Sequence, residues 1–533
     1  MYNNYTPLQQ RQLALQEYSN TQSTYLLVCA PARSTALKAT LTDQLHRKFR
    51  LVDRLGGELT ASVDGVLLAA EDVELMSTAL MYFAKALQDG ADYAVCNAVF
   101  GFGGATALYQ SQPLQAQNRC AVVSRTLLER CRAAAHDPEN VPELLALAAQ
   151  LCTKPTLIPQ ALLHYERGIC AEDAFSAHGK RAFIMSHVLD MTGAPIVLVS
   201  AVPVLRSMGY EVLVLGPSDG GSLHLFLDAG ASVITRSSCR NVSDAWGMAL
   251  CADFVIANTV VMARAVRALS GTAVPVLWWL HDAFAGYPHI AHQIPTQLGE
   301  NVRIYSVGSH AANAMHAVRP EFEIRPLIYG LPDYAAESFV RTDLGYNRGR
   351  PLFATVGSFE RRKGHDIFCK AIRLLPPEVR EKASFLFVGQ AADKEMMDSV
   401  RALTADYPEN VYYCKRLTRD EIKSLMEQCT GLVCASRDDP MPTFVTEGLI
   451  FGKPSIVSEH TGTAGLISEG QNGFVYHDDD PQQLAVLLEH AIEHPEELAS
   501  MRTECRKMYE QYYSKEAFEQ TLRAAVEDLT AKK

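Results

Sequence analysis

The sequence is short of several things that would set its class. Its thirteen cysteines include no Cys-x-x-Cys pair. That spacing argues against a zinc site or a disulfide framework and predicts reduced thiols in a cytoplasmic protein. No apolar run reaches the roughly 18 residues that a membrane-spanning helix needs. The opening MYNNYTPLQQRQ lacks the basic-then-apolar pattern of a secretory leader. Excess positive charge is missing too: the formal net charge is −11, which argues against a nucleic-acid footprint. There is no tandem short repeat and no low-complexity tract. What remains is an ordinary globular composition, 48% apolar and 20% charged over 533 residues, enough for two to four domains.

The most informative stretch is TGLVCASRDDPMPTFVTEGLIFGKPSIVSEHTGTAGLISEGQNGFVY, residues 430–476. The short apolar run Leu432–Ala435 reads as a buried parallel strand. A polar loop with Asp438 and Asp439 follows, then an amphipathic helix from about Thr443 that carries Glu447. Gly452 and Pro454 end it, and Ser455–Ser458 begins another strand. Asp439 and Glu447 are thereby set one loop and one helical turn apart at the carboxyl edge of a parallel sheet, where open α/β sheets bind ligands. Taken alone, the two acids could equally decorate a helix N-terminus and complement its dipole.

This pattern (an acid, seven residues, Glu, then Gly-Lys-Pro, a strand, a glycine-containing loop and Asn-Gly-Phe) resembles the retaining glycosyltransferases of family four. The resemblance implies two Rossmann-like domains facing a cleft, the GT-B architecture, and covers about 350 residues from Arg181 onward. It implies that Glu447 holds the ribose hydroxyls of a nucleotide-sugar. The family usually has Glu at the first acidic position; here Asp439 is one methylene shorter and would position a sugar hydroxyl. SHVLDMTGAPIVLVSAVPVLRSMGYEVLVLGPSDG reads as strand, glycine turn, helix, strand and turn. Together with the strand ending in His281-Asp282, it resembles the family's acceptor-side half. The second half begins at Pro351.

Negative charge grows on a diphosphate leaving group as the glycosidic bond breaks, and a metal-free enzyme must meet it with cations and backbone N–H groups. Arg361, Arg362, Lys363 and Gly364 fall in a turn that opens a helix, and helix N-termini bind phosphate. A solvated basic turn is the alternative. The resemblance assigns the diphosphate grip to Lys363. Ser358 occupies the family's Arg position, so Arg362 or Arg361 would substitute. Gly193 would let backbone approach the donor, unless its turn is merely tight. His281 would meet a sugar hydroxyl or the cationic transition state, and Asp282 is a weaker candidate beside it. Gly462 and Thr463 would contact sugar or phosphate through backbone amides. No carboxylate nucleophile, metal or cofactor is expected; the nucleotide-sugar is a substrate.

Residues 1–170 read differently. The strand-like runs Thr24–Cys29, Val63–Ala69 and Asp92–Cys96, the glycine-rich loop Gly101–Gly104, and the closing TLIPQALLHY resemble a shortened family-two, GT-A type domain. Ala69 and Ala70 stand where that family's metal-binding cluster would start, leaving Glu71 and Asp72, which also suit a helix N-cap. A degenerate, non-catalytic domain is expected there. The domains expected are thus 1–170, 181–335 on the acceptor side, and 345–533 on the nucleotide-sugar side with final helices crossing back. The expected activity is transfer of a sugar from a UDP- or GDP-sugar to a glycan, glycolipid or protein acceptor, in surface polysaccharide or glycoconjugate assembly. Peripheral membrane contact stays open. The alternatives are another GT-B enzyme, such as a sugar-nucleotide epimerase, and a non-catalytic glycosyltransferase-like binding subunit.

Overall fold

A computed structural model describes residues 23–531 except 31–33, 42–43, 45, 56–61, 71–72, 77, 103–105, 111–119, 166–178, 219, 237–238, 240–247 and 478. Glu71 and Asp72 lie outside the described residues. The chain divides into two compact units after Val255. Among the described residues, no helix is long and apolar enough to cross a membrane.

The first unit is built on β1 (Leu26–Cys29), β2 (Phe49–Val52), β3 (Gly65–Ala69), β4 (Glu74–Leu75), β5 (Tyr93–Phe102), β6 (Thr106–Gln110), β7 (Cys120–Ser124), β8 (Pro155–Tyr165), β9 (Lys180–Met185), β10 (Tyr210–Gly216) and β11 (Ser232–Arg236). Successive strand residues point to opposite faces, and both faces here are apolar. Leu26, Val28, Leu67, Ala69, Ala94 and Cys96 pack on one side with Leu80 and Phe83 of α1 (Ala79–Gln88). Leu27, Cys29, Val66, Leu68, Tyr93 and Val95 pack on the other. They meet Leu127 and Leu128 of α2 (Arg125–Ala134) and Leu144 and Leu145 of α3 (Val141–Leu151). Continuous apolar runs, rather than alternation, are the mark of a strand covered on both faces. The expected glycine-rich loop is corrected at its start: β5 continues through Gly101 and Phe102, paired with β6, while Gly103 and Gly104 lie outside the described residues. β6 also pairs antiparallel with β11, Val233 opposite Tyr109, while β10 lies parallel between β9 and β11. The strands before and after residue 170 therefore share ladders within this unit. α4 (Gly193–Ser207) follows β9.

β12 (Phe254–Asn258) straddles the division. In the second unit β13 (Val276–Leu280), β14 (Val302–Ser306) and β15 (Ile324–Pro326) pair in parallel, with α5 (Ser309–His316) after β14. Trp278 and Trp279 are fully buried and satisfy their indole N–H groups on Thr259 O and Leu327 O, at 2.8 and 2.9 Å. β16 (Leu352–Val356), β17 (Ser384–Val388), β18 (Val411–Cys414), β19 (Gly431–Cys434), β20 (Ser455–Ser458) and β21 (Gly473–Tyr476) form a parallel sheet in the order β18-β17-β16-β19-β20-β21. α6 (His365–Leu374), α7 (Arg419–Gln428) and α8 (Thr443–Ile450) connect its strands. The expected final helix exists as α9 (Lys515–Thr530). It packs back toward β13, with the Phe518 ring stacked on Trp279 at 5.8 Å.

A second tie joins these parts of the unit. Arg506 grips Asp333 through both oxygens, at 3.1 and 2.9 Å, and also donates to Ile450 O at 2.5 Å. The guanidinium holds the Asp333 carboxyl below the usual range. A bidentate, charge-assisted pair is among the stronger polar contacts. Arg506→Ala is expected to cost about 1–3 kcal/mol, read as a lower urea midpoint; an unchanged midpoint would show the tie to be incidental.

Candidate active site

The site grows from the ends of β16 and β19. The turn Arg361–Lys363 follows β16, and Gly364 then adopts φ +66° before α6 begins. A Cβ on Gly364 would lie 1.7 Å from Ala435 O, so only glycine fits at this crossing. The close approach lays the basic turn against the segment after β19, where Arg437 N–H donates to Arg362 O at 2.7 Å.

Two adjacent carboxylates there face different neighbours. Lys363 Nζ lies 2.6 Å from Asp439 Oδ2, with the Asp439 side chain only 5% exposed. Asp438 accepts from the backbone N–H groups of Phe284 and Ala285, at 3.0 and 2.8 Å, and lies 2.7 Å from His310 Nε2 on α5. An ionised carboxylate only accepts, so that nitrogen carries the hydrogen. Burial alone would raise the Asp438 pKa, but His310 and the two N–H groups outweigh it, and the net shift is downward. Asp438 thus ties the loop after β13, which begins with His281, to the Asp439 segment. The His281 ring packs on Trp279 at 4.6 Å.

Gly462 completes the enclosure. Its N–H donates to Asp439 O at 3.0 Å, and a Cβ there would lie 1.8 Å from Pro440 O. Thr463 is buried, with its hydroxyl on Met441 Sδ at 3.5 Å. The structure therefore gathers Lys363, Asp439, Gly462 and Thr463, and links the His281 loop to them through Asp438. Arg361 and Arg362 are exposed; Arg362 pairs with Glu360 at 2.9 Å, and Ser358 donates to the same oxygen at 2.9 Å. Glu447 is buried on α8, with Oε1 2.6 Å from Arg419 Nη1. Gly193 opens α4 in the first unit, and a Cβ there would meet open space.

Asp438, His310 and Arg419 were not singled out by sequence reasoning as site residues. The first had a signal in the Asp-Asp pair. The other two are joined to their partners across 128 and 28 residues, and no local pattern marks them.

Residues 178–320 match the family described as glycosyl-transferase family 4, and residues 337–508 match glycosyl transferases group 1. The chain carries two glycosyltransferase domains of GT-B type. The chain is 27% identical over 160 residues to spore coat protein SA of Bacillus subtilis, covering 28% of this chain and 41% of that protein. An uncharacterized glycosyltransferase of Methanocaldococcus jannaschii is 25% identical over 192 residues, 36% of this chain and 52% of that one. The chain thus spans about half the length, or less, of these curated relatives. Among solved structures, Anabaena Alr3699/HepE in complex with UDP matches at a TM-score of 0.53 and 18% identity, covering 66% of this chain and all of that one. Sucrose-phosphate synthase from Thermosynechococcus elongatus matches at 0.54 and 14%, over the same 66% and likewise 100% of that chain. Likeness at such identities speaks to the fold.

Next to His281, burial pushes the Asp282 carboxyl up to about 6, partly offset by the N–H groups of Val260 and His281. Val260 N–H donates to its Oδ2 at 2.5 Å. A carboxyl whose folded pKa is raised weakens the fold as it ionises. The penalty is absent below about pH 4, where it is protonated in both states, and is complete once pH has risen past about 6. Asp282→Asn keeps an acceptor for Val260 and removes the charge. It is expected to stabilise at pH 8 by about 1–3 kcal/mol and to be neutral at pH 4. Thermal unfolding at the two pH values checks this; an equal effect at both would contradict a penalty tied to ionisation.

Proposed function

We propose that the chain is a retaining glycosyltransferase that moves a sugar from a nucleotide-sugar to a glycan, glycolipid or protein acceptor. The observation that carries this is the Lys363–Asp439 pair at the start of α6, beside the Gly462 turn. In this reading Lys363, with Arg361 or Arg362, meets the diphosphate as its charge grows, and Asp439 positions a sugar hydroxyl. Glu447 holds the ribose, Gly462 and Thr463 present backbone amides, and His281 faces the sugar. The acceptor oxygen bonds to the anomeric carbon on the face that the diphosphate leaves. The C–O electron pair departs with the diphosphate, and one of its oxygens takes the acceptor proton. No protein nucleophile and no metal take part.

The structural neighbours with UDP, or UDP-glucose, in their names support a nucleotide-sugar donor. The spore coat relative favours surface glycan or glycoconjugate assembly as the setting. We place the activity in the cytoplasm and regard the first 170 residues as a docking or architectural part rather than a second catalyst.

The reading is tested by thermal-shift screening against UDP- and GDP-sugars, since a ligand that binds only the folded state raises its apparent stability. Given a hit, Lys363→Ala should lower kcat at least a hundredfold, because a preorganised cation is lost where charge develops. Glu447→Ala should weaken donor binding about ten- to a hundredfold, the worth of a hydrogen bond to a charged group. Donor affinity unchanged in calorimetry removes Glu447 from the site. Turnover should also survive EDTA. If chelation abolishes it and Mn²⁺ restores it, the metal-free mechanism is wrong.

A further inference from the structure

A buried carboxylate needs a partner to stay charged, and a carboxylate offers about four acceptor positions on its two oxygens. In this chain Oε1 of Glu447 receives Arg419 Nη1 at 2.6 Å, and the Glu447 side chain is only 10% exposed. Among the described residues, no protein donor occupies Oε2.

Arg419 is itself held from three directions. It is the first residue of α7, directly behind a capping box in which Glu421 N–H donates to Thr418 Oγ1 and Thr418 N–H to Glu421 Oε2, at 3.3 and 2.7 Å. Its guanidinium lies over the Tyr334 ring, 4.1 Å from the centroid. Its third hold is Glu447. Even so, the side chain stays 49% exposed. An ordinary surface arginine loses its pairing energy to side-chain freedom; one stacked on a ring and rooted in a capped helix has much less freedom to lose.

Resting on the donor reading above, we propose that Arg419 is a positioning residue for ribose recognition. It pins Oε1 of Glu447, fixes the orientation of the carboxylate, and leaves Oε2 to accept from the ribose hydroxyls of a nucleoside diphosphate. Arg419 acts through Glu447. Recognition of the 2′- and 3′-hydroxyls therefore depends on a residue that need not touch them.

The test is calorimetry on the full chain with UDP and GDP and with their 2′,3′-dideoxy counterparts. Wild-type protein is expected to prefer the ribonucleotide by about tenfold or more, as a hydrogen bond to a charged acceptor implies. In Arg419→Ala that preference should fall below about threefold, through weaker binding of the ribonucleotide, with dideoxy affinity and circular dichroism unchanged. Arg419→Lys restores a charge but not the planar stack, and should recover part of the preference. A general structural defect would weaken both nucleotides together, and that result overturns the proposal. So does an Arg419→Ala protein that discriminates as well as wild type, or one that binds the ribonucleotide more tightly because the ion pair had been competing with it. Wild-type protein that binds neither nucleotide overturns the donor reading, and this inference with it. Equal discrimination by wild type and variant removes Arg419 alone.

Discussion

The second unit depends on two neighbouring carboxylates that are turned to different partners. Asp438 is spent on structure: it collects two backbone N–H groups and His310, and so fixes the loop leaving β13. Asp439 is spent on the basic turn, through Lys363. Neither arrangement survives if the chain segments stand further apart. Their separation is set by close backbone approaches, Gly364 on Ala435 O and Gly462 on Pro440 O, where no side chain fits. The constraint is therefore backbone contact first and charge second. Two buried acids are tolerable only because each has donors already in place.

Much of this architecture was legible in the sequence, for a definite reason. Strands covered on both faces must be apolar throughout, so β1, β3, β13, β17 and β20 stand out as short unbroken runs of buried side chains. The helix carrying Glu447 begins at Thr443, where the change from a polar loop to an apolar face placed it. The misses follow the same logic in reverse. β2 has one exposed and three half-buried residues, so no unbroken apolar run marks it. β5 extends past its apolar core into Gly101 and Phe102, where pairing with β6 supplies its backbone partners. In the sequence β21 shows only as part of an Asn-Gly-Phe motif, whereas Gly473–Tyr476 is a strand beside β20.

The candidate site was legible in the same uneven way. Lys363, Gly364, Asp439 and Gly462 stand in short motifs whose spacing carries their geometry, and the structure brings them together. What spacing cannot carry is the second partner of each charge. His310 reaches Asp438 from α5, Arg506 reaches Asp333 across 173 residues, and Arg419 reaches Glu447 from a different helix. Such pairings are fixed by how elements dock, a non-local property that no window of sequence contains.

The departure at Asp439 from the longer acid of the resembling family can be read in the same physical terms. Asp439 uses both oxygens: Oδ2 on Lys363 at 2.6 Å, and Oδ1 as acceptor from Met441 N–H at 3.3 Å, two residues on. A short acidic side chain can fold onto the backbone two residues ahead in this way and stabilise a turn. A glutamate would carry its carboxylate one methylene past that N–H and give up the local contact. The turn so held is the one that brings Pro440 against Gly462 and continues to Pro442 at the head of α8. The shorter acid thus keeps its cationic partner and adds a backbone brace. That brace fixes the direction in which α8, and Glu447 on it, leaves the sheet edge.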